Sequence, residues 1–134
     1  MTSSVTMYQH VTLYGKRMQV ELSVAAQHAL QDRATPLLAE IHLVFGCLIV
    51  KRVRFKESIT AVAVTVTDKL FVNFRPVRYR KSCRLSDIDA DENPEDFPLV
   101  AERRGYVPDC LTLDFRKGAW VGEFTYDRAI AAPR

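Results

Sequence analysis

A chain of 134 residues, 48% hydrophobic and 26% charged, has the composition of one soluble globular domain, and five Gly with six Pro exclude a fibrous or low-complexity polymer. At this length folding buries roughly two-thirds of the surface of the unfolded chain, so the core needs no disulfide staples. The formal net charge is only +3, but the charge is sorted along the chain. Between Lys51 and Arg84 ten Lys and Arg meet two acids, a net of +8; between Leu85 and Glu102 there are seven acids and no base.

In chain order, Val5, Met7, Val11 and Leu13 alternate with Thr6, Tyr8, His10 and Thr12, the pattern of a half-buried strand. Met18, Val20, Leu22 and Val24 alternate with Arg17, Gln19, Glu21 and Ser23, so the two runs form a predicted hairpin closed at Gly15. Ser23 is placed to cap a short helix over 24–33, which ends before Thr35-Pro36. The stretch 36–50 is open to two readings. Leu37, Leu38, Ile41, Val44, Phe45 and Leu48 recur at helical spacing behind a Thr-Pro start, whereas Gly46 tells against a helix and the β-branched and aromatic run Val44–Val50 suits a doubly buried strand. Strict alternation from Lys51 to Lys56 favours one long strand over about 41–56.

Val62, Val64 and Val66 alternate with small residues, and Asp68-Lys69 turns the chain into Leu70–Arg75, a second hairpin. From about 79 to 108 three prolines and the acidic cluster break all periodicity; connections of this length are either functional or unstructured. Leu111, Leu113 and Phe115, a turn at Arg116-Lys117-Gly118, and Trp120, Gly122, Phe124 and Tyr126 on one face make a third hairpin. The whole is expected to be a single α+β domain over 1–134, mainly antiparallel β, with six or seven strands in hairpins and one short helix.

Four sets of residues carry chemical interest. The first is cationic: Arg52, Arg54 and Lys56 share a strand face, and Arg75, Arg78, Arg80, Lys81 and Arg84 follow. With Phe55, Phe71, Phe74 and Tyr79 interleaved, a positive sheet face with aromatic platforms would suit single-stranded nucleic acid, although no RNP-like or Gly-rich phosphate pattern accompanies it. The plainer expectation is a wet cationic face with the rings turned into the core. The second set is Asp87, Asp89 and Asp91, which imitate the opening of a calcium loop, but Glu92 stands where the turn needs Gly and Pro98 where a bidentate Glu belongs. A solvated acidic loop, either standing free or docked on the chain's own arginines, is the reading taken, and neither metal nor cofactor is expected.

The third is Cys83, a thiol among Arg80, Lys81 and Arg84, where positive charge favours thiolate; as a nucleophile it would need a base, and no histidine among His10, His28 and His42 can be put beside it. The fourth is the histidines themselves: without His-x-x-x-His or paired cysteines there is no zinc pattern, and no Gly-x-Ser-x-Gly is present. Cys47 lies in the apolar run, and three widely spaced cysteines point to free thiols and a cytoplasmic setting. The first fifteen residues carry no basic residue and no cleavable apolar run, and the longest apolar run, 43–50, is eight residues, too short to span a membrane.

The leading expectation is therefore a small cytoplasmic binding module whose cationic face recognises an anionic partner, either an acidic protein surface or nucleic acid. The alternatives are a small enzyme using Cys83 or a His/carboxylate pair assembled in space, and a homo-oligomer that pairs its basic and acidic blocks.

Overall fold

A computed structural model describes residues 5–46, 49–78, 95–96 and 103–126. The elements are β1 (Met7–Leu13), β2 (Lys16–Leu22), α1 (Val24–Gln31), β3 (Leu37–Phe45), β4 (Ile49–Lys56), β5 (Val64–Thr67), β6 (Leu70–Arg78), the two-residue β7 (Glu95–Asp96), the single turn α2 (Arg103–Tyr106), β8 (Cys110–Arg116) and β9 (Ala119–Thr125). The class is α+β and dominated by β, as expected. Among the described residues, eight strands of four or more residues exceed the six or seven foreseen.

The strands form two sheets, β1-β2-β8-β9 and β4-β3-β6-β5, with β7 paired to β6. Each sheet consists of two antiparallel hairpins joined through their inner strands, and both joints are parallel: β2 with β8 and β3 with β6. Local chemistry explains the hairpins. Tyr14 (φ 50°) and Gly15 (φ 83°) link β1 to β2, and Lys117 (φ 52°) and Gly118 (φ 76°) link β8 to β9. Two successive positive-φ residues are the type I′ signature, whose twist matches that of the flanking strands.

The expected long strand over 41–56 is instead a hairpin, β3 with β4, registered from Leu38↔Lys56 to Phe45↔Ile49. Gly46, counted above only against a helix, lies where the chain reverses. The helical spacing of 37–48 misleads for a physical reason: Leu37 to Val44 are buried on both faces of the strand, so hydrophobic period carries no information there.

The inner faces of the sheets share one core, with Met18, Val20, Leu22, Leu111 and Leu113 meeting Ile41, Val72 and Phe74. Helix α1 adds Ala26 and Leu30 to it. It begins where foreseen, because the Ser23 hydroxyl oxygen accepts from the Ala26 N–H at 3.0 Å and its O–H donates to Asp114 Oδ1 at 2.6 Å. Along one side β4 lies against β9. There Phe55 stacks on Trp120 at 5.8 Å between centroids, and a Cβ on Gly122 would stand 2.9 Å from Val53 Cβ. No described helix is long and apolar enough to cross a membrane.

Candidate functional site

The far face of the β4-β3-β6-β5 sheet carries the polar chemistry. In β3 the residues out of phase with the core are Leu38, Glu40, His42 and Val44. The register sets Lys56, Arg54, Arg52 and Val50 of β4 opposite them, and Phe71, Asn73, Arg75 and Val77 of β6 on the other side. Thus Arg52, Arg54 and Lys56 do share a face, and Arg75 joins them from a second strand. Arg78 is one residue out of phase with Val77 and belongs to the opposite face. Arg80, Lys81, Arg84, Cys83, Cys47, Tyr79 and the opening of the acidic run lie outside the described residues.

This face is not the open wet surface foreseen. Glu40 and His42 are each 1% exposed, and Arg52 and Asn73 are buried with them. Three donors converge on one carboxylate oxygen, Glu40 Oε1: His42 Nε2 at 2.8 Å, Lys56 Nζ at 2.9 Å and Arg75 Nη1 at 3.1 Å. Arg75 also bridges to the acidic block, its Nε donating to Asp96 Oδ1 at 2.9 Å and its Nη2 lying 2.7 Å from the same oxygen. Burial alone would raise the Glu40 pKa, but the hydrogen bonds from His42 and Lys56 and the charge of Arg75 outweigh it and hold the carboxyl at about 2. Burial likewise opposes charge on Arg75, yet Asp96 and Glu40 keep its pKa above the ordinary value.

His42 is the hinge of the network. Arg52 Nε donates to its Nδ1 at 3.1 Å, so the ring is the tautomer with hydrogen on Nε2, which donates to Glu40. Burial first, then the neighbouring Arg52 and Arg75, lower its pKa against the pull of Glu40, and the imidazole is neutral. A His/carboxylate pair is thus assembled in space, with the one lone pair of the His42 ring engaged by the Arg52 guanidinium. His10 is exposed on β1, and His28 lies in the last turn of α1. Among the described residues no three His, Cys, Asp or Glu cluster as a metal site.

The interleaved aromatics divide. Phe74 is fully buried and Phe55 packs on the core, both turned from the cations, while Phe71 shares their face. Elsewhere a cavity of about 510 Å³ opens between α1 and the β5–β6 turn, where Gln27, Gln31, Asp68 and Lys69 meet Met7 and Leu30. The Gln27 amide nitrogen already donates to the Val5, Leu22 and Ser23 carbonyls, and among the described residues no reactive set converges there.

Comparisons with protein-family models, curated proteins and solved structures find no match to this chain.

Glu40 and His42 escaped the reading of the sequence, although a signal was there. Two polar residues two apart in an apolar run, followed by three cations two apart, become opposite partners once the chain is folded back at Gly46.

Proposed function

We propose that this chain is a small binding module that recognises an anionic partner through the cations of the β4-β3-β6-β5 sheet. The observation that carries the reading is the charge left on that face. Among the described residues Arg52, Arg54, Lys56 and Arg75 are set against Glu40 and Asp96, with His42 neutral, an excess of two positive charges. None of Arg52, Arg54 and Arg75 is without a partner inside the chain, so the face works by exchange: an incoming anion shares or replaces contacts that already exist. Lys56, with its side chain 37% exposed, and the half-buried Arg54 form the accessible rim. A cytoplasmic setting, suggested by the cysteine pattern, belongs to the same reading.

The test is a salt series. Binding of the chain to a fluorescent polyglutamate and to an oligothymidylate is followed by anisotropy from about 0.01 M to about 1 M NaCl, over which the Debye length falls from roughly 30 Å to roughly 3 Å. Affinity is expected to fall steeply, and to fall further in Lys56→Gln. Affinity indifferent to salt defeats the reading, as does a lack of binding at the lowest ionic strength. Sedimentation of the chain alone over the same series reports on pairing between copies, which would loosen as salt rises.

A further inference from the structure

Hairpin geometry decides which way the main chain of β1 points. In a two-residue hairpin the residues flanking the turn, here Leu13 and Lys16 around Tyr14-Gly15, exchange both of their hydrogen bonds, and bonded and non-bonded pairs alternate from there. Met7, Gln9, Val11 and Leu13 therefore commit their N–H and C=O groups to β2, and Tyr8, His10 and Thr12 turn theirs outward. Among the described residues nothing is hydrogen-bonded to those outward groups. Tyr8, Gln9, His10 and Thr12 are all exposed, Tyr8 by 57%, although β5 lies beside β1 across the core.

Sheet edges are commonly blunted by charge, proline, a bulge or brevity, and other outer strands of this fold show such devices. β5 has four residues and a register shift between Thr65 and Thr67. β4 carries Lys51, Arg52, Arg54 and Lys56, and β9 lies against it. β1 has none of these protections: residues 5–15 contain no Asp, Glu, Lys, Arg or Pro in a chain that is 26% charged, and the register with β2 runs unbroken from Met7↔Leu22 to Leu13↔Lys16.

We infer that this edge is a self-association surface whose occupant is a second copy of the chain, β1 pairing antiparallel with β1 about a two-fold axis at His10. The outward residues Tyr8, His10 and Thr12 are symmetric about His10. This register therefore matches every outward N–H and C=O of the strand: His10 with His10 of the second copy, and Tyr8 of each copy with Thr12 of the other. A shift of two residues in either direction leaves one of the three without a partner inside the strand. Tyr8 across from Thr12 is an aromatic and β-branched pair, a favourable cross-strand combination. Charge agrees as well, because Glu21 stands behind Tyr8 and Arg17 behind Thr12, so each row of the joined sheet runs from the acid of one copy to the base of the other. The two β1-β2-β8-β9 sheets become one continuous sheet. A foreign strand could use the same outward groups but would not share their symmetry, and the inference does not depend on the anion-binding reading above.

The test is sedimentation velocity of the full chain from about 1 µM to about 1 mM, with amide exchange read residue by residue by NMR. A dimer is expected to form as concentration rises and to persist in about 1 M NaCl, where the Debye length is roughly 3 Å and a pairing of the basic and acidic blocks would loosen. The amides of Tyr8, His10 and Thr12 are expected to exchange freely in the monomer and to gain protection in the dimer, while those of Val11 and Leu13 are protected in both. His10→Lys sets two cations opposite each other across the axis, and His10→Pro removes an N–H that the monomer leaves unbonded; both are expected to abolish the dimer and to keep the fold, as thermal melts would show. Should His10→Pro unfold the chain, His10→Lys decides, since that side chain is exposed. A chain that stays monomeric throughout, a dimer that survives His10→Lys, one that falls apart in salt, or one without new protection at Tyr8, His10 and Thr12 overturns the inference. So does a monomer whose outward amides gain protection only from an added extended peptide, which makes the occupant a foreign strand. None of these results bears on the binding of polyglutamate, so the two readings fail separately.

Discussion

Replacement of Glu40 by Gln tests whether the buried network is held together by charge or only by shape. Glutamine keeps the size of the side chain and an oxygen for the His42 Nε2–H, but like a protonated acid it carries no charge. In the folded chain the Glu40 carboxyl lies at about 2 instead of 4.5, and that difference corresponds to roughly 3 kcal/mol in favour of the carboxylate over its neutral form. Glu40→Gln should therefore lose about 3 kcal/mol of folding stability at neutral pH, a large share of the 5–15 kcal/mol typical of a domain. Because the folded value is depressed, the stabilisation is complete above pH 4.5 and is lost as pH falls from there toward 2. The deficit of the variant should shrink over that same window. Urea denaturation reads this directly through the single tryptophan, since Trp120 packs between Phe55 and Phe115 and will report their separation. A deficit below about 1 kcal/mol at pH 7, or one that is as large at pH 3 as at pH 7, would refute the electrostatic account.

His42 makes a second pH signature. Its folded pKa lies below 6.5, so as pH drops under 6.5 the unfolded chain takes up a proton that the folded chain refuses, and stability declines; His42→Gln should flatten the decline between pH 6.5 and 5 in the same urea titrations. Gly122→Ala would drive a methyl to 2.9 Å from Val53 Cβ and 3.1 Å from Leu113 Cδ2, and the overpacking should cost about 1–3 kcal/mol; a variant that melts with the wild type would show that β9 can move off β4 freely. Ser23→Ala removes both the cap on α1 and the hydrogen bond to Asp114, with an expected loss of about 1 kcal/mol, measurable by thermal unfolding at neutral pH.

The reading of the sequence succeeded where structure is local. The β1–β2 and β8–β9 hairpins are written in alternation that ends at Tyr14-Gly15 and Lys117-Gly118, and the Ser23 cap follows from residue type alone. It failed at β3, where burial on both faces erases the two-residue period. That one failure concealed the site, because Glu40 and His42 meet Arg54 and Arg52 only after the chain reverses at Gly46. The common face of Arg52, Arg54 and Lys56 was legible from parity, and so was the turning away of Phe55. The arrival of Arg75 beside them was not, since it depends on the parallel joint of β3 with β6, which no neighbouring residues specify.

The two parallel joints also order events in time. The joint of β3 to β6 links residues about thirty positions apart, while that of β2 to β8 pairs Gln19 with Cys110 across most of the chain. On the ribosome the β4-β3-β6-β5 sheet has its four strands once β6 has emerged, whereas the inner edge of the β1–β2 hairpin stays unpaired until β8 is synthesised. Late pairings of this kind slow folding and leave an unpaired strand edge open to association with other nascent chains.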